Sequence, residues 1–214
     1  MKTNKIKKLY LDVETTGLDP MLCGLTQLAC VIEIDGYEMM SANFDIKPFE
    51  GASIQKKALE VTGKTYDEVM NYPDEADVFV TFIEMLKVYI NPMTYGDDFT
   101  LIAYNAEFDQ NFLIEWFARQ NKKYSNYINY RKVDPLAFLR ILHVEGLANL
   151  PSYKLSDVYT AIFNETFEAH DANADIKATI RVHKYLVDNY MKEPDKASEK
   201  TGYEDRPHIE DMGK

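Results

Sequence analysis

The sequence predicts an α/β fold, a mixed five-stranded β-sheet flanked by helices. Three observations carry that expectation. The first 46 residues read as three consecutive strands joined by short turns. The two strand-like segments further on, at 101–104 and 130–133, each lead into helical periodicity. A chain of 214 residues with 46% apolar content has material for one sizeable core. Meander strands pair antiparallel and strands separated by helices pair parallel, so the sheet is expected to be mixed.

The elements follow in order. Residues 6–13 (Ile-Lys-Lys-Leu-Tyr-Leu-Asp-Val) and 25–34 (Leu-Thr-Gln-Leu-Ala-Cys-Val-Ile-Glu-Ile) have the apolar, β-branched texture of strands. Asp35-Gly36 is a strong hairpin turn, so 37–46 returns as the third strand, and Pro48 closes it. A helix is predicted over 74–90, with Phe79, Phe82, Ile83, Leu86 and Ile90 on one face. The strand 101–104 leads into a helix that aligns Phe108, Phe112, Leu113, Trp116 and Phe117. The strand 130–133 precedes a helix through Leu136, Leu139 and Ile141. Two more helices are expected near 155–163 and 172–190. Residues 1–190 thus read as one domain. From Met191 the periodic apolar residues stop, and 191–214 is expected to be a polar, flexible C-terminal tail.

Composition narrows the function classes. Lys and Arg number 24 against 35 Asp and Glu, a formal net charge of −11. That argues against a broad, non-specific grip on nucleic acid, which needs a basic surface. No apolar run approaches the roughly 18 residues of a membrane span, and the Lys-rich start has no apolar stretch behind it to make a signal peptide. Cys23 and Cys30 are too few for a disulfide or zinc framework and read as core thiols, which fits a reducing, cytoplasmic setting. Gly63-Lys64-Thr65 ends like a phosphate loop, but Ala58 stands where its first Gly is needed, so that reading is rejected. The basic clusters Lys5/Lys7/Lys8, Lys56/Lys57, Lys122/Lys123 and Arg131/Lys132 read as solvated faces with the option of guiding a strand.

Three segments carry chemistry. Asp12 and Glu14 sit two apart at the end of an apolar strand, on one face of it. Like charges about 4 Å apart repel by about 4 kcal/mol at an effective dielectric of 20, and a divalent cation offsets this economically. On spacing alone an edge strand with its acidic face in water serves equally well. Asp109, in Asn105-Ala106-Glu107-Phe108-Asp109, falls in the first turn of a helix, where the macrodipole favours a carboxylate with or without another job. His170 and Asp175 flank Asp171, a plausible N-cap of the last long helix, so both can face one cleft.

Together the segments resemble the DEDDh (DnaQ-like) 3′–5′ exonucleases, the group that holds polymerase III epsilon-type proofreading subunits, ribonuclease T and oligoribonuclease. The first motif of that family, Asp-x-Glu-Thr-Thr-Gly-Leu, is residues 12–18. The second, Asn-x-x-Phe-Asp, is 105–109, and the third, His-Asp-Ala-x-x-Asp, is 170–175. Asp134 in a Val-Asp-x-Leu segment, Tyr153-Lys154-Leu155 and the 58–63 helix-and-turn extend the likeness, which covers about 6–186. One departure is Tyr104 where the family often has His before Asn105, which points to altered substrate contact with activity retained.

The resemblance implies a ribonuclease-H-like fold and two divalent ions, Mg²⁺ or Mn²⁺, held by Asp12, Glu14, Asp109 and Asp175, with His170 as general base. It implies hydrolysis of terminal phosphodiesters at single-stranded DNA or RNA 3′ ends to nucleoside 5′-monophosphates. Thr15 and Thr16 would lie near the 3′ end through their backbone, Leu18 and Phe108 against the terminal base, and Asn105 beside them. A DNA polymerase in trans is an implied partner, and no membrane is. The rival readings are an RNA-trimming enzyme of the same family and a non-catalytic adaptor that keeps the fold. Two divalent ions would offset four of the acidic charges and leave the chain still acidic. Grip is therefore expected from metals and a narrow cleft, with poor affinity for long duplex.

Overall fold

The computed structural model describes residues 5–191. The expected tail falls outside the described residues apart from Met191. Five strands form one sheet in the order β3-β2-β1-β4-β5: β1 (Lys7–Thr15), β2 (Leu25–Ile34), β3 (Tyr37–Asp45), β4 (Phe99–Ile102) and β5 (Ile128–Val133). The meander pairs antiparallel, Leu11 against Cys30 and Val31 against Ser41, while β1–β4 and β4–β5 are parallel. The sheet is thus mixed, as expected.

Among the described residues seven α-helices flank it: α1 (Lys56–Thr62), α2 (Tyr66–Met70), α3 (Glu75–Lys87), α4 (Ala106–Arg119), α5 (Pro135–Val144), α6 (Leu155–Phe163) and α7 (Ala172–Leu186). The Gly63-Lys64-Thr65 triplet is the joint between α1 and α2. Gly63, at φ 69°, ends α1, and Thr65 opens α2 through a reciprocal capping box with Glu68.

Alternation along the strands sorts the core. Leu9, Leu11 and Val13 of β1 join Leu28, Cys30 and Ile32 of β2 on the face covered by α3 and α4, where Phe79, Phe82, Phe112 and Trp116 are buried. The Phe79 ring meets Trp116 edge-on at 5.0 Å. On the other face, Tyr10, Ala29, Val31 and Ile102 pack against Ala172 and Ile176 of α7. A third cluster, including Leu139, Leu142, Val158, Ile162, Val182 and Leu186, joins α5, α6 and α7. Both cysteines are buried and free.

Several boundaries depart from expectation. β4 sits two residues earlier than 101–104, because Asn105 turns into the left-handed region (φ 64°) and Tyr104 belongs to that turn. On α5 the buried stripe is Leu136, Leu139 and Leu142, and Ile141 is exposed. Among the described residues no helix is long and apolar enough to cross a membrane.

Candidate active site

Alternation on β1 places Asp12 and Glu14 on the α7 face, with Tyr10. Opposite Glu14 on β2 lies Gln27, a polar side chain buried in an apolar strand. Its Nε2 donates to Oδ2 of Asp171 at 3.3 Å, and its Oε1 accepts the N–H of Ala172, also at 3.3 Å. Asp171 in turn caps α7 by accepting the N–H of Ala174 at 3.0 Å. The start of α7 is therefore bonded to the strand next to Glu14. His170 adopts φ 70°, which turns its N–H onto Oδ2 of Asp175 at 2.9 Å. Side-chain ligand atoms of Glu14, His170 and Asp175 come within 4.8 Å of one another.

Asp109 arrives from the other direction. The carboxylate of Asp134 accepts the N–H groups of Asn105 (3.0 Å) and Ala106 (3.2 Å) at the start of α4, and that of Leu136 (2.9 Å) in α5. One side chain thus fastens two helix starts that would otherwise present unpaired donors. In the first turn of α4, Asp109 is buried and accepts the N–H of Val13 at 3.1 Å.

All four carboxylates are pushed up from their ordinary range. For Asp12 the causes are burial, then the charges of Asp109, Asp175, Glu14 and Asp171. Burial raises Asp109 to about 8, opposed by the Val13 N–H. Burial and Asp175 raise Glu14 to about 7, with Lys64 pulling the other way. Asp175 rises through burial, opposed by the His170 N–H. Crowded, desolvated carboxylates with so little compensating charge fit a divalent cation.

Beside Glu14 lies a cleft of about 370 Å³, lined by Thr15, Leu18, Val61 and Phe108 among others. Leu18 is 79% exposed at its rim, and the Phe108 ring is backed by Phe112 at 4.9 Å. Asn105 is exposed at the head of α4. Thr16 is fully buried: its N–H donates to Gly24 O at 2.9 Å, its carbonyl accepts from Gln55 N–H, and its hydroxyl bonds Ser53 O and Gly24 N–H. Gly17 is equally enclosed, since a Cβ there would come 2.6 Å from Cys23 Sγ. Tyr104 donates its hydroxyl to the carbonyl of Tyr153 at 2.7 Å, holding the chain ahead of α6.

Three residues of the site escaped the sequence reading in these roles. Gln27 had a signal, a lone amide inside Leu-Thr-Gln-Leu-Ala-Cys-Val. Lys64 had none, because its nearness to Glu14 arises only when the α1–α2 joint folds back. Asp134 was noticed as part of a motif but not as a double cap.

Residues 9–183 match the RNase_T family model, described as an exonuclease. The chain belongs to this exonuclease family. It is 29% identical over 187 residues to a DNA polymerase III PolC-type of Thermotoga maritima, a match over 86% of this chain and 12% of that protein. It is 25% identical over 191 residues to ribonuclease T of Haemophilus influenzae, covering 86% of this chain and 80% of the relative. This member of the family thus spans about an eighth of the length of the PolC-type relatives it matches. Among solved structures, the zinc-bound form of the E. coli ExoI–ssDNA complex superposes with a TM-score of 0.71 at 26% identity, over 87% of this chain and 41% of that one. The mixed sheet and its helices are accordingly the ribonuclease-H-like exonuclease fold.

Proposed function

We propose that this exonuclease removes nucleotides from the 3′ ends of single-stranded DNA, with RNA ends as the rival substrate, and that it depends on two divalent ions. The observation that carries the reading is that Glu14, His170 and Asp175 bring ligand atoms within 4.8 Å of one another at the end of β1, while Asp12 and Asp109 are buried there and raised by the same carboxylates. The match to a structure described as an ExoI–ssDNA complex supports DNA, and the likeness to ribonuclease T keeps RNA as the alternative.

In this reading Asp12, Glu14, Asp109 and Asp175 hold the ions. When bound, two such ions clamp the attacking and leaving oxygens of an in-line displacement. Asp109 is kept in place by Val13, and Asp175 by the His170 N–H. His170, exposed and next to both Glu14 and Asp175, takes the proton from the attacking water. The terminal phosphodiester breaks on its 3′-oxygen side, and the product is a nucleoside 5′-monophosphate. Leu18 and Phe108 flank the terminal base in the cleft, with Thr15 and Asn105 beside the end nucleotide. Thr16 acts on substrate only through the loop it holds, because both of its backbone groups are engaged. A polymerase acting in trans is the proposed partner.

The test uses 5′-labelled single strands with open or blocked 3′ ends, in Mg²⁺ or in EDTA, on matched DNA and RNA. Stepwise shortening of the open DNA strand in Mg²⁺ alone is expected. Equal degradation of blocked and open ends, or persistence in EDTA, overturns the reading.

A further inference from the structure

A second cleft lies at the opposite end of the sheet from the carboxylates. It has a volume of about 620 Å³ and is walled by the turn between α3 and β4, the 124–126 turn and the free edge of β5. Its character differs from the rest of this acidic chain. Lys123 and Arg131 line it, are exposed, and make no ion pair among the described residues, whereas the neighbouring Lys132 is tied to Glu107. The lining acid, Asp98, accepts from the amide of Asn129 at 3.3 Å.

Two aromatic residues line the same cleft. Tyr95 is fully exposed, and Tyr130 is 56% exposed. The Tyr130 ring rests on the buried Tyr124 at 5.4 Å, and its carbonyl accepts from Gln110 of α4 at 3.1 Å. Tyr130 is therefore braced from within and about half exposed to the cleft. Free cations beside a braced aromatic face are what a single strand recognises: phosphates meet the charges and a base meets the ring.

We propose that this cleft docks the 5′-ward part of a single-stranded nucleic acid whose 3′ end lies among the carboxylates. The proposal rests on the exonuclease reading for its direction but on the cleft itself for binding. β4 and β5 run in parallel from the cleft toward the site, and the seven steps from Asp98 to Asn105 reach at most roughly 20 Å at strand rise. A stacked strand covers that distance in about six nucleotides. Strands of three nucleotides cannot reach it, and strands of fifteen can.

The experiment measures fluorescence anisotropy of labelled DNA 3-mers and 15-mers in EDTA, where no turnover occurs, followed by turnover of both in Mg²⁺. The proteins are the full chain, Lys123→Ala/Arg131→Ala and the uncharged change Tyr130→Ala, each checked for folding by circular dichroism. Expected are a roughly tenfold weaker grip on the 15-mer for both variants, a salt slope shallower by about 1.4 for the double variant, and 3-mer turnover within about twofold of wild type. If either variant binds the 15-mer as wild type does, the inference is overturned, whatever the enzyme does with the 3-mer. If wild type cleaves neither strand, the exonuclease reading falls, and the anisotropy result still decides the cleft.

Discussion

The backbone N–H of Val13 donates to Oδ1 of Asp109 at 3.1 Å, so a carboxylate from α4 is bonded to the strand residue that lies between Asp12 and Glu14. Three acidic residues from two elements are thereby brought into one space before any ion arrives.

Replacement Asp109→Asn tests what that bond and that charge each do. The amide oxygen can still accept from Val13. Burial already pushes the Asp109 carboxyl to about 8, so a neutral side chain meets little further cost. In EDTA at pH 7 the variant is expected to unfold in urea within about 1 kcal/mol of wild type. In Mg²⁺ its gain in Tm should shrink, and turnover should fall by about two orders of magnitude or more. A variant that keeps its turnover would remove Asp109 from the site.

His170 carries both a chemical and a conformational assignment. Asn tolerates the left-handed backbone at φ 70° and Ala does not. His170→Asn and His170→Ala should both lose roughly 10²–10⁴ in turnover. The Ala variant should also be less stable than the Asn variant by about 1 kcal/mol in urea titration. Equal stability would show that the loop relaxes at no cost.

Asp134→Ala removes a cap from α4 and from α5 together. Two lost caps cost about 2 kcal/mol in urea unfolding. Turnover at low temperature should also drop, since the same helix start carries Asp109. Asp134→Asn, which can still accept, should recover part of both.

The buried His183 gives a pH dependence. Its Nδ1 lies 2.9 Å from the Tyr10 hydroxyl, with Lys8, Glu33 and Lys184 as the charged groups around it. Burial first, then Lys8, lowers it from 6.5 to about 4 against the pull of Glu33. Between those values the unfolded chain binds a proton that the folded chain refuses, so this contribution to stability is complete above pH 6.5 and is lost as pH falls towards 4. The crowded carboxylates, raised on folding, drift in the opposite sense. The measure is therefore the difference between wild type and His183→Gln in urea at pH 7.5 and pH 5, with wild type losing more on acidification. Parallel curves would refute the assignment.

Much of the fold was legible because its elements carry local signals. β2 runs over 25–34 as read, since a mostly apolar run ends in the Asp35-Gly36 turn. α6 runs over 155–163 as read. α2 was not legible, because five residues hold too little periodicity and its capping box sits in a segment without an apolar stripe. The sequence does not say which apolar stripe of α5 is buried: a short helix allows two, and packing against α7 selects Leu139 and Leu142 and leaves Ile141 exposed. Within the candidate site, the acidic residues and His170 were visible as motifs. Their supports, the Gln27 bonds to Asp171 and Ala172 and the reach of Asp134 to the start of α4, join residues far apart in sequence, which no local pattern records.

The three apolar clusters bear on how the site lives in time. Asp12, Glu14 and Asp109 belong to the sheet-and-α4 body, while His170 and Asp175 ride at the start of α7, which packs on the sheet through Tyr10, Ala29, Val31, Ile102, Ala172 and Ile176. The seam is closed by polar bonds as well, from Gln27 to Asp171 and Ala172 at one end and from Lys184 to Glu33 further along. The candidate site is then a joint between two bodies, complete only while α7 is seated on the sheet. Amide exchange at 172–176 would clock its lifetime, and a bound ion bridging the seam would slow that clock before it changed any other part of the molecule.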